Sequence, residues 1–319
     1  RQMCIRDRAE FWADGPESET PPGHWNVIAK EVSASPLLEK RIGGVGPVVD
    51  DLEWDVKLYL ALNGATHDAA IAAWDAKRKY DYVRPISMIR YMGGRGQSSD
   101  PMLPNYSPEG LPLVPGLIEL ITEETQAPGG KHDHFTSRFI DDVAVFAWAG
   151  QPEDPHTQYT GADWVLAAEW LPYQRETFVS PPFAGYVSGH STFSRSAAEA
   201  LTLFTGDPFF PGGLGTWPVP ANEFLEFEAG PTQTFEMQWA TYYDAADEAG
   251  VSRLYGGIHV DADDLPGRIM GSQIGADAFE LAGQYFAGTV PEPGAALQIV
   301  AAVMALATLR GARRSGERR

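Results

Sequence analysis

Three short segments carry side chains suited to holding a small oxyanion and moving a proton beside it. The first runs Trp74-Asp75-Ala76-Lys77-Arg78-Lys79-Tyr80-Asp81-Tyr82-Val83-Arg84-Pro85. Lys77 and Arg84 are seven apart, two turns of a helix, and would lie on nearly one face. The second is Val187-Ser188-Gly189-His190, reached through Pro181, Pro182 and Gly185 and followed by an Ala-rich run that reads as a buried helix. The first N–H groups of a helix lack internal partners and sit at its positive end, so they favour an anion. His190 adds a proton donor or acceptor there. The third is Arg253-Leu254-Tyr255-Gly256-Gly257-Ile258-His259-Val260-Asp261-Ala262-Asp263. Asp263 follows His259 by four residues, so its carboxylate can take the Nδ1 proton and leave Nε2 as a ligand or nucleophile. Alone, each segment has an ordinary reading: a solvated basic stripe, a Ser N-cap, a chance His-x3-Asp. Together, three cations, a Ser-Gly nest and two histidines describe a site for a tetrahedral oxyanion.

The ordered set Lys77-x6-Arg84-Pro85, Ser188-Gly189-His190 and Ser252-Arg253-x5-His259-x3-Asp263 resembles the signature of the superfamily of vanadium-dependent haloperoxidases and type 2 phosphatidic-acid phosphatases. The resemblance extends over roughly residues 52–286, with Val187 where many members have Pro. It implies a mainly α helical bundle of the vanadium haloperoxidase and acid phosphatase type. It also implies vanadate as cofactor, with His259 as the vanadium ligand, or as the nucleophile in a phosphatase. Lys77, Arg84 and Arg253, with Ser188 and the Gly189 N–H, would hold the oxygens. His190 would be the acid–base, Asp263 would orient His259, and Lys77 would polarise hydrogen peroxide. Trp74 and Phe183 fall where haloperoxidases place the aromatic walls of a halide pocket. The expected substrates are hydrogen peroxide, a halide and a small organic molecule. The alternatives are a phosphomonoesterase with a phosphohistidine, and a non-catalytic exported surface protein that keeps the fold.

The elements that must position these residues follow from patterning. Residues 1–50 read as an irregular N-terminal segment with short amphipathic pieces at Trp25 to Val32 and Leu37 to Ile42. Within it, residues 1–8 match nothing downstream and resemble a junction artefact. Residues 51–288 form the expected catalytic body. Asp51 to Tyr91 predicts one long helix broken at Pro85, and 93–136 a long Pro/Gly-rich cover with helix only at Leu117 to Thr125. Short helices are expected at Phe139 to Trp148 and Asp163 to Leu171, and a β-hairpin at Phe224 to Glu228 with Thr232 to Gln238. A helix over Trp239 to Gly250, a loop over Val251 to Val260 and a last helix over Asp264 to Phe286 complete the body. His132 and His134 read as residents of a solvated loop. The carboxylates Asp141-Asp142 and Asp261 to Asp264 read as exposed, Asp263 excepted.

The bulk properties limit the partners. The chain has 319 residues, 44% hydrophobic, with a formal net charge of −19. The acidic excess is larger still outside the last ten residues, which carry five Arg and one Glu. That argues against a nucleic-acid or anionic-membrane surface, so an anion site needs locally concentrated cations. Cys4 is the only cysteine, which excludes a disulfide framework and a thiolate metal site. In residues 289–319, Val290-Pro291-Glu292-Pro293 precedes an apolar run, Gly294 to Leu309, and then Arg310, Arg313 and Arg314. Sixteen residues is short for a span of about 20. The arrangement resembles a PEP-CTERM sorting tail, which implies an exported protein with transient membrane association through the tail. A homodimer is allowed.

Overall fold

The computed structural model describes residues 2–13 and 19–290. The sorting-tail reading for 289–319 falls almost wholly outside the described residues. Four helices form the body: α3 (Asp51–Tyr80), α6 (Gly189–Thr205), α7 (Tyr242–Tyr255) and α8 (Asp261–Phe286). α1 (Gln2–Phe11) and α2 (Pro21–Ala34) cover one flank, and α4 (Pro85–Gly93) and the one-turn α5 (Glu123–Gln126) lie toward the long cover. The chain is therefore mainly α, as its pattern predicts. Among the described residues no helix is long and apolar enough to cross a membrane.

Local chemistry sets the helix ends. The Asp50 side chain accepts from the Glu53 N–H at 2.9 Å to start α3, and Asp81 ends it in the left-handed region. Ser188 caps α6, Gly206 closes it at φ 76°, and Thr241 with Asp244 forms a capping box on α7. α6 is buried on nearly every face, with Ala197, Ala198, Leu201 and Phe204 in a core shared with Trp25, Trp54, Leu58, Leu62 and Tyr242. Its contact with α8 sets glycine backbone against the backbone and Cβ atoms of α6. A Cβ would lie 2.5 Å from the Thr192 oxygen at Gly271, 2.5 Å from the Ser196 oxygen at Gly275 and 3.0 Å from the Ser188 oxygen at Gly267. These glycines recur one turn apart and face α6.

Several expectations are corrected. Residues 1–50 are only in part irregular: α1 and α2 lie there, α2 enclosing the expected piece Trp25 to Val32, while 35–50 is largely without regular structure. Arg6 and Asp7 of α1 are buried, with Arg6 paired to Glu228, so the opening segment is docked on the body. The stretches expected as helices at 117–125, 139–148 and 163–171 supply β1 (Ile118–Leu120), β2 (Val143–Trp148) and β3 (Ala162–Leu166), an antiparallel sheet in the order β1-β2-β3. Short apolar runs do not separate the two periodicities, and here the β-branched and aromatic content prevails. The hairpin exists but pairs β4 (Gly215–Val219) with β5 (Phe235–Trp239), while 224–228 runs irregularly between them. His132 is fully buried, its Nδ1 2.9 Å from Thr125 Oγ1, and His134 Nε2 donates to the Trp164 carbonyl at 2.9 Å. The expectation of a solvated loop is overturned for His132, whereas His134 is exposed as expected.

Candidate active site

The three segments meet at one end of the bundle. Lys77 comes from the last turn of α3, and Arg84 is the residue before α4, with extended backbone dihedrals. The two do not share a helix face, as the spacing had implied. α3 ends at Tyr80, and Pro85 holds Arg84 out of the helical region. Arg253 lies in the last turn of α7, which continues through the expected loop to Tyr255. His259 precedes α8, Asp263 lies in its first turn, and Ser188, Gly189 and His190 open α6.

Main-chain carbonyls organise the cations. Lys77 Nζ donates to the Ala184 and Gly185 oxygens, both at 2.9 Å. Arg84 donates through Nε to the Phe183 oxygen at 2.9 Å, through Nη1 to the Ile258 oxygen at 2.8 Å and through Nη2 to the Ala184 oxygen at 3.3 Å. Arg253 Nη1 and His190 Nε2 both donate to the Trp12 oxygen, at 2.8 and 2.7 Å. Gly185 is needed where it stands, because a Cβ there would lie 2.9 Å from Asp263 Oδ2.

His259 is oriented from both sides. Its Nδ1 lies 2.8 Å from Asp263 Oδ2, and its Nε2 lies 3.0 Å from Arg84 Nη1. Arginine can only donate, so Nε2 carries the lone pair and Nδ1 the proton given to Asp263. The fully buried Ser188 accepts from Ser191 N–H through Oγ, and its own N–H donates to the Asp263 carbonyl at 2.9 Å. The nest of α6 is thereby tied to the helix that follows His259. Asp264, expected to be exposed, is buried and takes Ser191 Oγ–H at 2.6 Å and the Arg268 guanidinium.

Burial and crowding of like charge set the electrostatics. Burial, then repulsion from Arg84, pushes Lys77 down to about 7 against the pull of Asp263. Arg84 is pushed down to about 10, first by burial. Burial holds His259 well below its usual value, reinforced by Arg84, Lys77 and Arg253. His190 is lowered likewise by burial, then by Arg253, His24 and His259. Burial raises Asp263, partly offset by the Val260 N–H, Arg84 and Lys77. The site is thus short of negative charge.

An oxyanion beside Lys77 favours its charged form, so binding above about pH 7 brings a proton with it. The sign is definite. Below about pH 7 Lys77 is charged in either state and affinity is flat; above it the free site loses the charge and affinity falls. The slope is up to about tenfold per pH unit for one proton. Tungstate, whose charge is constant near neutrality, is the probe. Titration calorimetry at pH 8 in two buffers of different ionisation heat should show proton uptake, and equal heats would contradict it.

Trp74 and Phe183 flank Lys77. Their ring centroids are 5.2 Å apart, and Lys77 Nζ lies 5.8 and 5.3 Å from them. With Ile71 they line an open, mostly apolar depression of about 600 Å³ that leads to Lys77. Both aromatics are substantially exposed, at 44% and 40%. Sequence reasoning missed the carbonyls of Trp12, Phe183, Ala184, Gly185 and Ile258, because a main-chain group has no signature. It also assigned no partner to His24, which is buried with its ring 5.2 Å from Trp12.

The chain matches the family described as the VCPO second helical-bundle domain over residues 57–106 and 134–288. It belongs to the vanadium haloperoxidase family. Among solved structures, an apo-type bacterial vanadium-dependent chloroperoxidase is similar with TM-score 0.60 and 19% identity, over 90% of this chain and 46% of that one. The holo-type bacterial enzyme gives TM-score 0.56 and 18% identity, over 88% and 44%. The chain therefore spans less than half the length of those structures, and at this identity the likeness shows a shared fold. No curated protein matches. Within the vanadium haloperoxidase family, the domain matched here takes in all three candidate site segments.

Proposed function

We propose that this chain holds vanadate at His259 and uses it to oxidise a halide with hydrogen peroxide. The observation that carries the reading is the Nε2 lone pair of His259, fixed by Asp263 and set among buried Lys77, Arg84 and Arg253. The donor set suits a tetrahedral oxyanion: one nitrogen lone pair, three cations and the N–H groups at the start of α6. Bound vanadate supplies a Lewis-acid centre that activates peroxide. Lys77, Arg84 and Arg253 neutralise the oxygens and hold them in place. His190 presents its Nε2–H to an oxygen and can take or return a proton there. Lys77 polarises peroxide, its Nζ held in place by the Ala184 and Gly185 carbonyls. The vanadium dependence and chloroperoxidase activity of the similar bacterial structures support the reading, as does the aromatic wall beside Lys77.

The test is halogenation of a dimedone probe by vanadate-loaded protein with peroxide and chloride, bromide or iodide. Turnover with at least one halide is expected, and none with any would overturn the proposal. Hydrolysis of a nitrophenyl phosphate, inhibited by vanadate, would assign the site instead to phosphoryl transfer through His259.

A further inference from the structure

The end of α1 reaches the anion site. Trp12 follows α1 directly, and its carbonyl oxygen receives His190 Nε2–H and Arg253 Nη1–H at 2.7 and 2.8 Å. The last carbonyls of a helix have no partner within it and carry the negative end of its dipole. One such oxygen sits between two donors that the proposed function assigns to an oxyanion. We propose that the Trp12 carbonyl is a resident surrogate for one oxygen of that anion, and that anion binding displaces it. This inference rests on the proposed anion site.

Two anchors hold the surrogate. The direction of the carbonyl is fixed within its own peptide unit, whose Ala13 N–H donates to the Glu10 oxygen at 3.0 Å. The Glu10 side chain ties α1 to the body. Its Oε1 accepts from Tyr173 Oη–H at 2.5 Å, and its Oε2 from the Glu226 and Phe227 N–H groups at 2.5 and 3.3 Å. Arg8 adds a bond to Glu248 of α7 at 2.6 Å.

The smaller of two motions releases the oxygen. Lifting the whole segment would expose the fully buried Trp12 indole, which lies 5.2 Å from the His24 ring and 6.1 Å from Trp239. Turning only the Trp12–Ala13 peptide leaves the indole in place. The bonds it breaks include the Ala13 bond to the Glu10 carbonyl and the two at the site, and an arriving anion replaces those two with stronger charge-assisted ones. His190 keeps its donor role, since Nε2 carries the proton toward either acceptor.

The test uses the full chain without vanadium and tungstate as probe. Hydrogen exchange at the Ala13 amide should quicken when tungstate binds. Glu10→Ala frees the end of α1 from Tyr173, Glu226 and Phe227, so the Trp12–Ala13 peptide is held less firmly toward the site, and calorimetry should show tungstate binding about tenfold tighter than in the unaltered protein. Glu10→Gln, which keeps an acceptor for the two backbone N–H groups, should bind as the unaltered protein does. Tungstate binding with unchanged Ala13 exchange, or Glu10→Ala binding no tighter, would overturn the surrogate while leaving the anion site standing. Absence of binding in both proteins would remove the anion site and the surrogate together. Should Glu10→Ala not fold, the exchange measurement on the unaltered protein decides.

Discussion

His259→Ala is expected to lower tungstate affinity at least about a hundredfold, near 3 kcal/mol, and to bring halogenation to background, a loss on the order of a thousandfold. The reason is that, among the described side chains, the lone pair set among Lys77, Arg84 and Arg253 is that of His259 Nε2. The Asp263 carboxylate is committed through Oδ2, which takes His259 Nδ1–H and the Val260 N–H. Stability should fall by about 2 kcal/mol. The neutral ring accepts from Arg84 Nη1 and donates to Asp263 Oδ2, so its removal costs two hydrogen bonds, about 1 kcal/mol each, while Asp263 keeps the Val260 N–H and the nearby cations. Calorimetry gives the affinity and circular dichroism the control. Retained halogenation in a folded variant would remove His259 from the mechanism.

Arg84→Met should damage both fold and site. The guanidinium donates to the Phe183 and Ile258 carbonyls, shares the Ala184 carbonyl with Lys77 and meets Nε2 of His259, and methionine can serve none of them. A buried acceptor left unpaired costs about 1–3 kcal/mol. Reduced mutual repulsion of the cations offsets part of this, so the expected net loss is about 3 kcal/mol, seen as a lower denaturation midpoint. Tungstate binding should fall with it. Arg84→Lys keeps a charge but not the planar fork and should recover only part of either property. An unchanged midpoint in Arg84→Met would mean that the carbonyls of 183–184 find other donors.

The legible part of this protein is the part made of side chains. Lys77, Arg84, Arg253, His190 and His259 could be selected in advance because charge, a lone pair and proton transfer belong to residue types, and their order along the chain narrowed the fold. The main-chain carbonyls that hold those cations were not legible, since any residue supplies a carbonyl. Phe183 was read for its ring, and its oxygen also holds Arg84. The sheet was lost for another reason. Val143 to Trp148 is six residues of apolar chain, too short for its period to show. Arg84 was placed on a helix by spacing alone, whereas Pro85 made it the turn that brings the guanidinium inward.

The glycines of α8 that face α6 make a ruler of the backbone. The helix that opens with His190 and the helix that follows His259 approach closely because Gly267, Gly271 and Gly275 put no side chain of α8 against the backbone and Cβ atoms of α6. Mutational drift among the leucines and aromatics of the core can loosen or tighten the bundle, yet it has no lever on that separation. Recarving Ile71 and Phe183 for a new substrate would leave these glycine contacts untouched, whereas Trp74 packs near Gly189 and Phe193 at the start of α6.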